Sequence, residues 1–285
     1  LLATSCSGRD ISLGEGPRQS QPEAADLSGF EPPRAIAGLD DDAKDAKDDD
    51  PALTADLLTL YFNSKRDGGQ GQEDIWLAER ATRDAAFSTP APERALNSAQ
   101  RETGIALSED GLSLWFSSDR KGGAGGLDVY SATRMSPRGS WSVARVPELS
   151  SEGDDLVSSV ADSGRSLFLA RRADDDHDYD LYVARRASRT GPFATPLPIA
   201  ALNTDDEESD AVWLEGQGGL VFTRAEQLMY AAHYPSDNAQ EVVALSALNS
   251  ADDDRDAWFS SDLSYVVFSS DRSGSYRLYE AWLRP

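Results

Sequence analysis

The chain has 285 residues, 39% of them apolar, with 27 basic against 50 acidic side chains and a formal charge of −23. A field of that sign repels nucleic acids and anionic lipid surfaces, and no run of eighteen apolar residues is present to span a membrane as a helix. Cys6 is the single cysteine, so no disulfide forms within the chain.

The first segment to read is the one around that cysteine. Leu1-Leu-Ala-Thr-Ser5 before Cys6 and Ser7-Gly8 after it resemble a bacterial lipobox, although Leu2 stands four residues before the cysteine where three is usual. Cys6 is therefore an expected lipid anchor, and membrane contact is expected through that anchor alone. Residues 7–33 are rich in Gly, Pro, Ser, Gln and Glu and show no apolar periodicity. They are predicted to be a disordered tether, with a root-mean-square span of about 25–30 Å. The expected division is residues 1–33 as anchor and tether, and 34–285 as a folded domain.

Within 34–285 one segment recurs five times. Its anchor is an apolar strand: Thr59-Leu-Tyr-Phe62, Ser113-Leu-Trp-Phe116, Ser166-Leu-Phe168, Gly219-Leu-Val-Phe222 and Tyr265-Val-Val-Phe268, with the Phe residues 54, 52, 54 and 46 positions apart. A short strand and a turn precede each anchor. Asp56, Asp110, Asp162, Gly216 and Asp262 fall six residues before the Phe, where a tight hairpin takes Asp or Gly. A third strand follows, as in Asp74-Ile-Trp76 and Asp128-Val-Tyr130. A fourth closes on Leu96-Asn-Ser98, Leu202-Asn-Thr204 and Leu248-Asn-Ser250, with Leu149-Ser-Ser151 as a degenerate copy. Four antiparallel strands per repeat predict an all-β, five-bladed propeller. The last repeat stops after its third strand, while Arg34-Ala-Ile-Ala-Gly-Leu39 has a fourth-strand pattern and no blade of its own. The N-terminal strand is therefore predicted to complete the last blade.

The stretch Phe116-Ser-Ser-Asp-Arg120-Lys-Gly-Gly-Ala-Gly-Gly-Leu-Asp128-Val-Tyr130 resembles the WD40-like propeller repeat of TolB and of many bacterial envelope proteins. The resemblance covers all five repeats and is weakest in the fourth, where Arg224-Ala-Glu-Gln-Leu-Met-Tyr230 lacks the Gly-rich loop. It implies a binding or scaffold module of the cell envelope, periplasmic or at the cell surface.

Fourteen positions before the anchors stand Asp48, Glu102, Asp154, Glu208 and Asp254, and four positions after them Arg66, Arg120, Arg172 and Arg272, with Glu226 in the fourth repeat. A charge pair repeated at every joint reads as structural, because a guanidinium fork suits a carboxylate; Glu208 is left without its partner. Function requires asymmetry. Twelve positions before the anchors stand Asp50, Gly104, Leu156, Asp210 and Asp256, so three adjacent blades carry an acid that two lack. With Trp213 and Trp258 close in sequence, these acids are the candidate binding site. They suit a hard cation such as calcium, a basic peptide, or an acid triad like that of five-bladed glycoside hydrolases, with Trp stacking on sugar. The run Asp174-Asp-Asp-His-Asp-Tyr-Asp180 lacks the Gly and bidentate Glu of an EF-hand loop. No Gly-x-Ser-x-Gly elbow, zinc spacing or phosphate-binding loop occurs.

The expectation is a non-enzymatic module that recognises an envelope protein, peptide or glycan on one face, with no cofactor other than calcium, as a monomer or within a hetero-assembly. The alternative is a glycoside-active enzyme using the asymmetric acids.

Overall fold

The computed structural model describes residues 24–39, 46–173, 178–232, 234 and 241–284. Cys6 and most of the acidic run from Asp174 lie outside them. Among the described residues the fold is a five-bladed β-propeller of five four-stranded antiparallel sheets. Blade one holds β2 (Asp49–Leu53), β3 (Thr59–Ser64), β4 (Asp74–Glu79) and β5 (Ala91–Pro92). Blade two holds β6 (Glu102–Leu107), β7 (Ser113–Ser118), β8 (Asp128–Thr133) and β9 (Ser142–Arg145). Blade three holds β10 (Asp154–Ala161), β11 (Ser166–Arg172), β12 (Asp180–Arg185) and β13 (Leu197–Pro198). Blade four holds β14 (Glu208–Leu214), β15 (Gly219–Arg224), β16 (Gln227–Ala232) and β17 (Val242–Ala244). Blade five holds β18 (Asp254–Phe259), β19 (Tyr265–Ser270) and β20 (Arg277–Trp282), completed by β1 (Arg34–Ala35).

The hairpin between the first two strands of a blade is shaped by its Asp. In blade one the Asp56 carboxylate accepts from the Thr54 hydroxyl at 2.6 Å and from the Leu58 amide at 3.0 Å. Ser108 with Asp110 and Ser260 with Asp262 repeat the arrangement. At the other end, the Asn of the Leu-Asn-Ser/Thr signature clamps the third strand. Asn97 both accepts from the Ile75 amide and donates to the Ile75 carbonyl, as Asn203 does with Leu181 and Asn249 with Leu228. The apolar core is distributed between neighbouring blades: Tyr61, Ile75 and Leu96 of blade one pack with Ile105, Phe116 and Tyr130 of blade two in one cluster.

Ring closure by the N-terminal strand is as predicted, with Arg34 opposite Glu280 and Ala35 opposite Tyr279, and it extends further toward the N-terminus than expected. Phe30 bridges to Leu283, Glu31 donates its amide to the Trp282 carbonyl, and Leu27 and Phe30 are each 5% exposed in the core cluster of blades four and five. Phe30 meets Phe259 edge-on at 6.1 Å, and the Ala25 amide donates to the Tyr230 hydroxyl. The span assigned to the tether, residues 1–33, therefore includes a packed portion. Two isolated apolar residues in a polar stretch show no periodicity, yet each fills a ready-made apolar cleft.

Blade three departs from the predicted alignment by one residue. In blades two, four and five the joint acid sits opposite the residue two past the anchor, Glu102 with Ser118, Glu208 with Arg224 and Asp254 with Ser270, whereas in blade three Asp155 sits opposite Arg171, two past Leu169 and not Phe168. Leu169 is the true anchor, and the acid fourteen residues before it is Asp155. Replacing Phe30 by Ala is expected to destabilise the domain by about 3 kcal/mol, a large-to-small core change. Removing residues 1–39, which exposes an edge of blade five as well, should destabilise it more. Urea titration of the two variants checks the order.

Candidate functional site

Two rings of acids start the inner strands, and their surroundings differ. In the outer ring the acid is buried and fully engaged. Glu102 accepts from the Ser98 amide at 2.8 Å and the Ser98 hydroxyl at 2.6 Å, from Ser118, and from Arg120 Nη2 at 2.9 Å; the same Arg120 nitrogen donates to the Leu96 carbonyl. The closing loop of blade one is thereby tied to the first two strands of blade two. Arg66 with Asp48 and Arg272 with Asp254 are equivalent.

Two corrections follow from the register. In blade three the joint is Arg171 to Asp155 at 2.6 Å, with Arg171 also donating to the Leu149 carbonyl. Asp154 and Arg172, expected in this role, form a separate and more exposed ion pair. In blade four Glu208 does have a guanidinium: Arg224, two residues after Phe222, reaches it at 2.7 Å and donates to the Leu202 carbonyl. Counting four residues past the anchor overlooked it, because the fork of an arginine reaches the same point from a different place on the strand.

The inner ring is built by a break in the ladder. The inner strand of every blade carries a register shift, and at that point in blades one, two, four and five Asp50, Gly104, Asp210 and Asp256 have φ of 48°, 61°, 55° and 55°. This left-handed conformation favours Gly and Asp. Blade three has Val157 at the equivalent place, where a β-branched residue does not adopt it. The bulge turns the three carboxylates toward one another, with one oxygen of each within 4.8 Å of the others.

Support for these acids is sparse. Asp50 accepts from the Thr103 hydroxyl and the Gly104 amide, both at 2.8 Å, and Asp210 from the Ser209 hydroxyl at 2.6 Å. No arginine pairs with any of the three among the ion pairs of the described residues. Burial, followed by the charge of Asp210, raises the Asp50 pKa to about 7. Asp256 is raised well above the carboxylate range, again by burial first and then by Asp210 and Asp50. Three oxygens at this separation match a hard cation, which sits about 2.3–2.6 Å from each ligand; Asp50, Asp210 and Asp256 would hold it.

The two ends of the channel contrast. Beside the starts of the inner strands is a polar cavity of about 330 Å³ that includes Lys47, Arg101 and Arg255. At their far ends a cavity of about 420 Å³ is lined by Trp213 and Trp258 with Leu53, Ile105 and Leu214. The two tryptophans thus share a cavity, set along the strands from the acids, and Trp213 is braced edge-on by Tyr234 at 5.9 Å.

No protein-family model matches the chain, and no curated protein does. Solved structures do share the fold. An endo-arabinase from Bacteroides thetaiotaomicron VPI-5482 superposes with a TM-score of 0.56 at 12% identity, over 88% of this chain and 98% of that one. A family 117 glycoside hydrolase of the marine bacterium Zobellia galactanivorans gives 0.53 at 12% identity, over 90% and 91%. A protein assigned as TolB from Agrobacterium tumefaciens gives 0.51 at 15% identity, over 79% and 70%. Identities this low show a common β-propeller fold, the TolB-type architecture among its forms.

The raised carboxylates make stability depend on pH. Unfolded, Asp50 ionises near 3.8; folded, it does so near 7. Between those values folding takes up protons, so stability falls as pH rises from about 4 to about 7. Asp256 acts in the same direction. Thermal melts should show the midpoint falling across that window, less steeply in Asp50→Asn, which keeps the left-handed backbone. In contrast, Glu102→Gln should destabilise by about 3–5 kcal/mol, because it leaves Arg120 without its counter-charge.

Proposed function

We propose that this chain is a non-enzymatic binding module of the bacterial cell envelope, recognising a protein, peptide or glycan at one mouth of its channel. One observation carries the reading: the unpaired acids lie within 4.8 Å of one another. Glycoside hydrolysis uses two carboxyl groups about 5–5.5 Å apart for retention or about 6.5–9.5 Å apart for inversion, with the sugar between them. Three oxygens this close fall well short of the inverting separation and suit a shared proton or a cation. Calcium is the cation proposed for the triad, as a structural or ligand-bridging ion. The envelope location is supported by the lipobox-like residues around Cys6 and by the fold shared with the protein assigned as TolB.

The glycosidase reading has one observation in its favour, the Asp50 pKa of about 7, which suits a general acid. A single comparison separates the two. The triple variant Asp50→Asn, Asp210→Asn, Asp256→Asn should lose calcium binding in calorimetric titration and lose partners captured from envelope extract, while its melting temperature holds or rises as like charges are removed. Release of sugar from arabinan by the wild type, abolished in Asp50→Asn, would establish the enzyme instead.

A further inference from the structure

The polar cavity has a composition at odds with the rest of the molecule. The chain carries only four lysines and an excess of 23 negative charges, yet Lys47, Lys65, Arg101 and Arg255 all line this one space of about 330 Å³. They come from neighbouring blades: both lysines from blade one, Arg101 from the start of blade two and Arg255 from blade five. Lys47 and Arg101 hold the same repeat position, fifteen residues before Phe62 and Phe116; blades four and five have Glu207 and Asp253 there. The cationic side is thus specific to these blades and is not imposed by the repeat.

Lys47, Lys65 and Arg101 are not consumed by structural pairing in the way the joint arginines are. Arg101 Nε is sealed from solvent and has no hydrogen-bond partner among the described residues, and one carboxylate oxygen of Asp49 in the same cavity is likewise unpartnered. Lys65 stands 3.9 Å from Glu73, beyond hydrogen-bonding distance. Arg255 differs: its Nε and Nη2 donate to the two oxygens of Asp253 and Nη2 also to the Tyr276 hydroxyl, and it lies over the Tyr276 ring at 5.1 Å, with Lys47 over that ring at 5.4 Å. Tyr179 and Tyr276 also line the cavity.

We infer that this mouth is a recognition pocket for a carboxylate group of a small ligand, gripped by Lys47, Lys65 and Arg101. A carboxylate matches the planar fork of Arg101 and supplies a counter-charge that a neutral sugar does not. The pocket deepens the binding-module reading by specifying ligand chemistry, but its test does not depend on it, since binding and turnover are measured separately.

The test is calorimetric titration of the full chain, at low ionic strength, with galacturonate, with galactose as the same ring lacking the carboxylate, and with N-acetyl-dialanine as a peptide carboxylate. Binding of galacturonate or of the dipeptide, without binding of galactose, is expected, and the stronger of the two identifies a glycan or a peptide source. Lys47→Gln and Arg101→Gln should each weaken it at least about tenfold, and Lys121→Gln, which removes the same charge away from the cavity, should not. Lys47 is exposed, so its variant folds even if Arg101→Gln does not. Absence of binding by both carboxylates, equal binding of galactose, or unchanged affinity in Lys47→Gln overturns the inference. Sugar release from arabinan with intact carboxylate binding would overturn the binding-module reading and leave this pocket standing.

Discussion

A buried carboxylate tied to an arginine is the contact on which the ring depends. At each joint an acid that is at most 5% exposed (Asp48, Glu102, Asp155, Glu208 or Asp254) is held by Arg66, Arg120, Arg171, Arg224 or Arg272. Removing two charges from water is costly, and the joint offsets this by satisfying nearly every lone pair and donor locally. At the four joints from blade two to blade five, the carboxylate also takes the amide and hydroxyl of a Ser or Thr from the preceding blade's closing loop. The guanidinium also lies over aromatic rings, as Arg120 does over Tyr130 at 4.7 Å and Arg272 over Tyr279 at 4.8 Å. Such a joint fixes where each inner strand begins, and with it the shape of the mouth.

Against that frame of neutralised acids, the inner triad stands out by what it lacks. The backbone needs a residue tolerant of left-handed φ at the bulge, and Gly104 shows that glycine satisfies it in blade two. Its Cβ, if present, would meet the Val157 carbonyl at 2.6 Å. Conformation alone therefore explains Gly or Asp at the position, and leaves three neighbouring negative charges unexplained. Their mutual repulsion is relieved by proton uptake, as the raised Asp50 and Asp256 show, or by a bound cation. The channel they occupy is polar and partly cationic at one mouth and lined by tryptophans at the other, so the two mouths differ in chemistry.

The blade count, the strand order and the N-terminal closing strand were legible in the sequence because each rests on local features: the alternation of apolar residues, Asp at hairpin turns, and Asn where a side chain imitates the next strand. The inner triad was legible as a repeat position occupied by acid in three blades. Other features were hidden. The anchor of blade three is misplaced by one because Phe168 outweighs Leu169 in the sequence pattern, and the pairing of Asp155 with Arg171, two residues past Leu169, distinguishes them. From that slip came the choice of Asp154 and Arg172 over Asp155 and Arg171.

What the sequence by itself determined is the architecture, since a repeated unit that leaves an apolar face unburied has to stack on copies of itself. Only the tertiary structure decided which charges are joints and which are available. Arg224 and Arg120 occupy different repeat positions yet reach equivalent carboxylates, because a long side chain decouples its charge from its place in the chain. Leu27 and Phe30 count as core because blades four and five present a cleft to them. Asp50, Asp210 and Asp256 stand more than forty residues apart in sequence, and closure of the ring brings blade five against blade one and so completes the cluster.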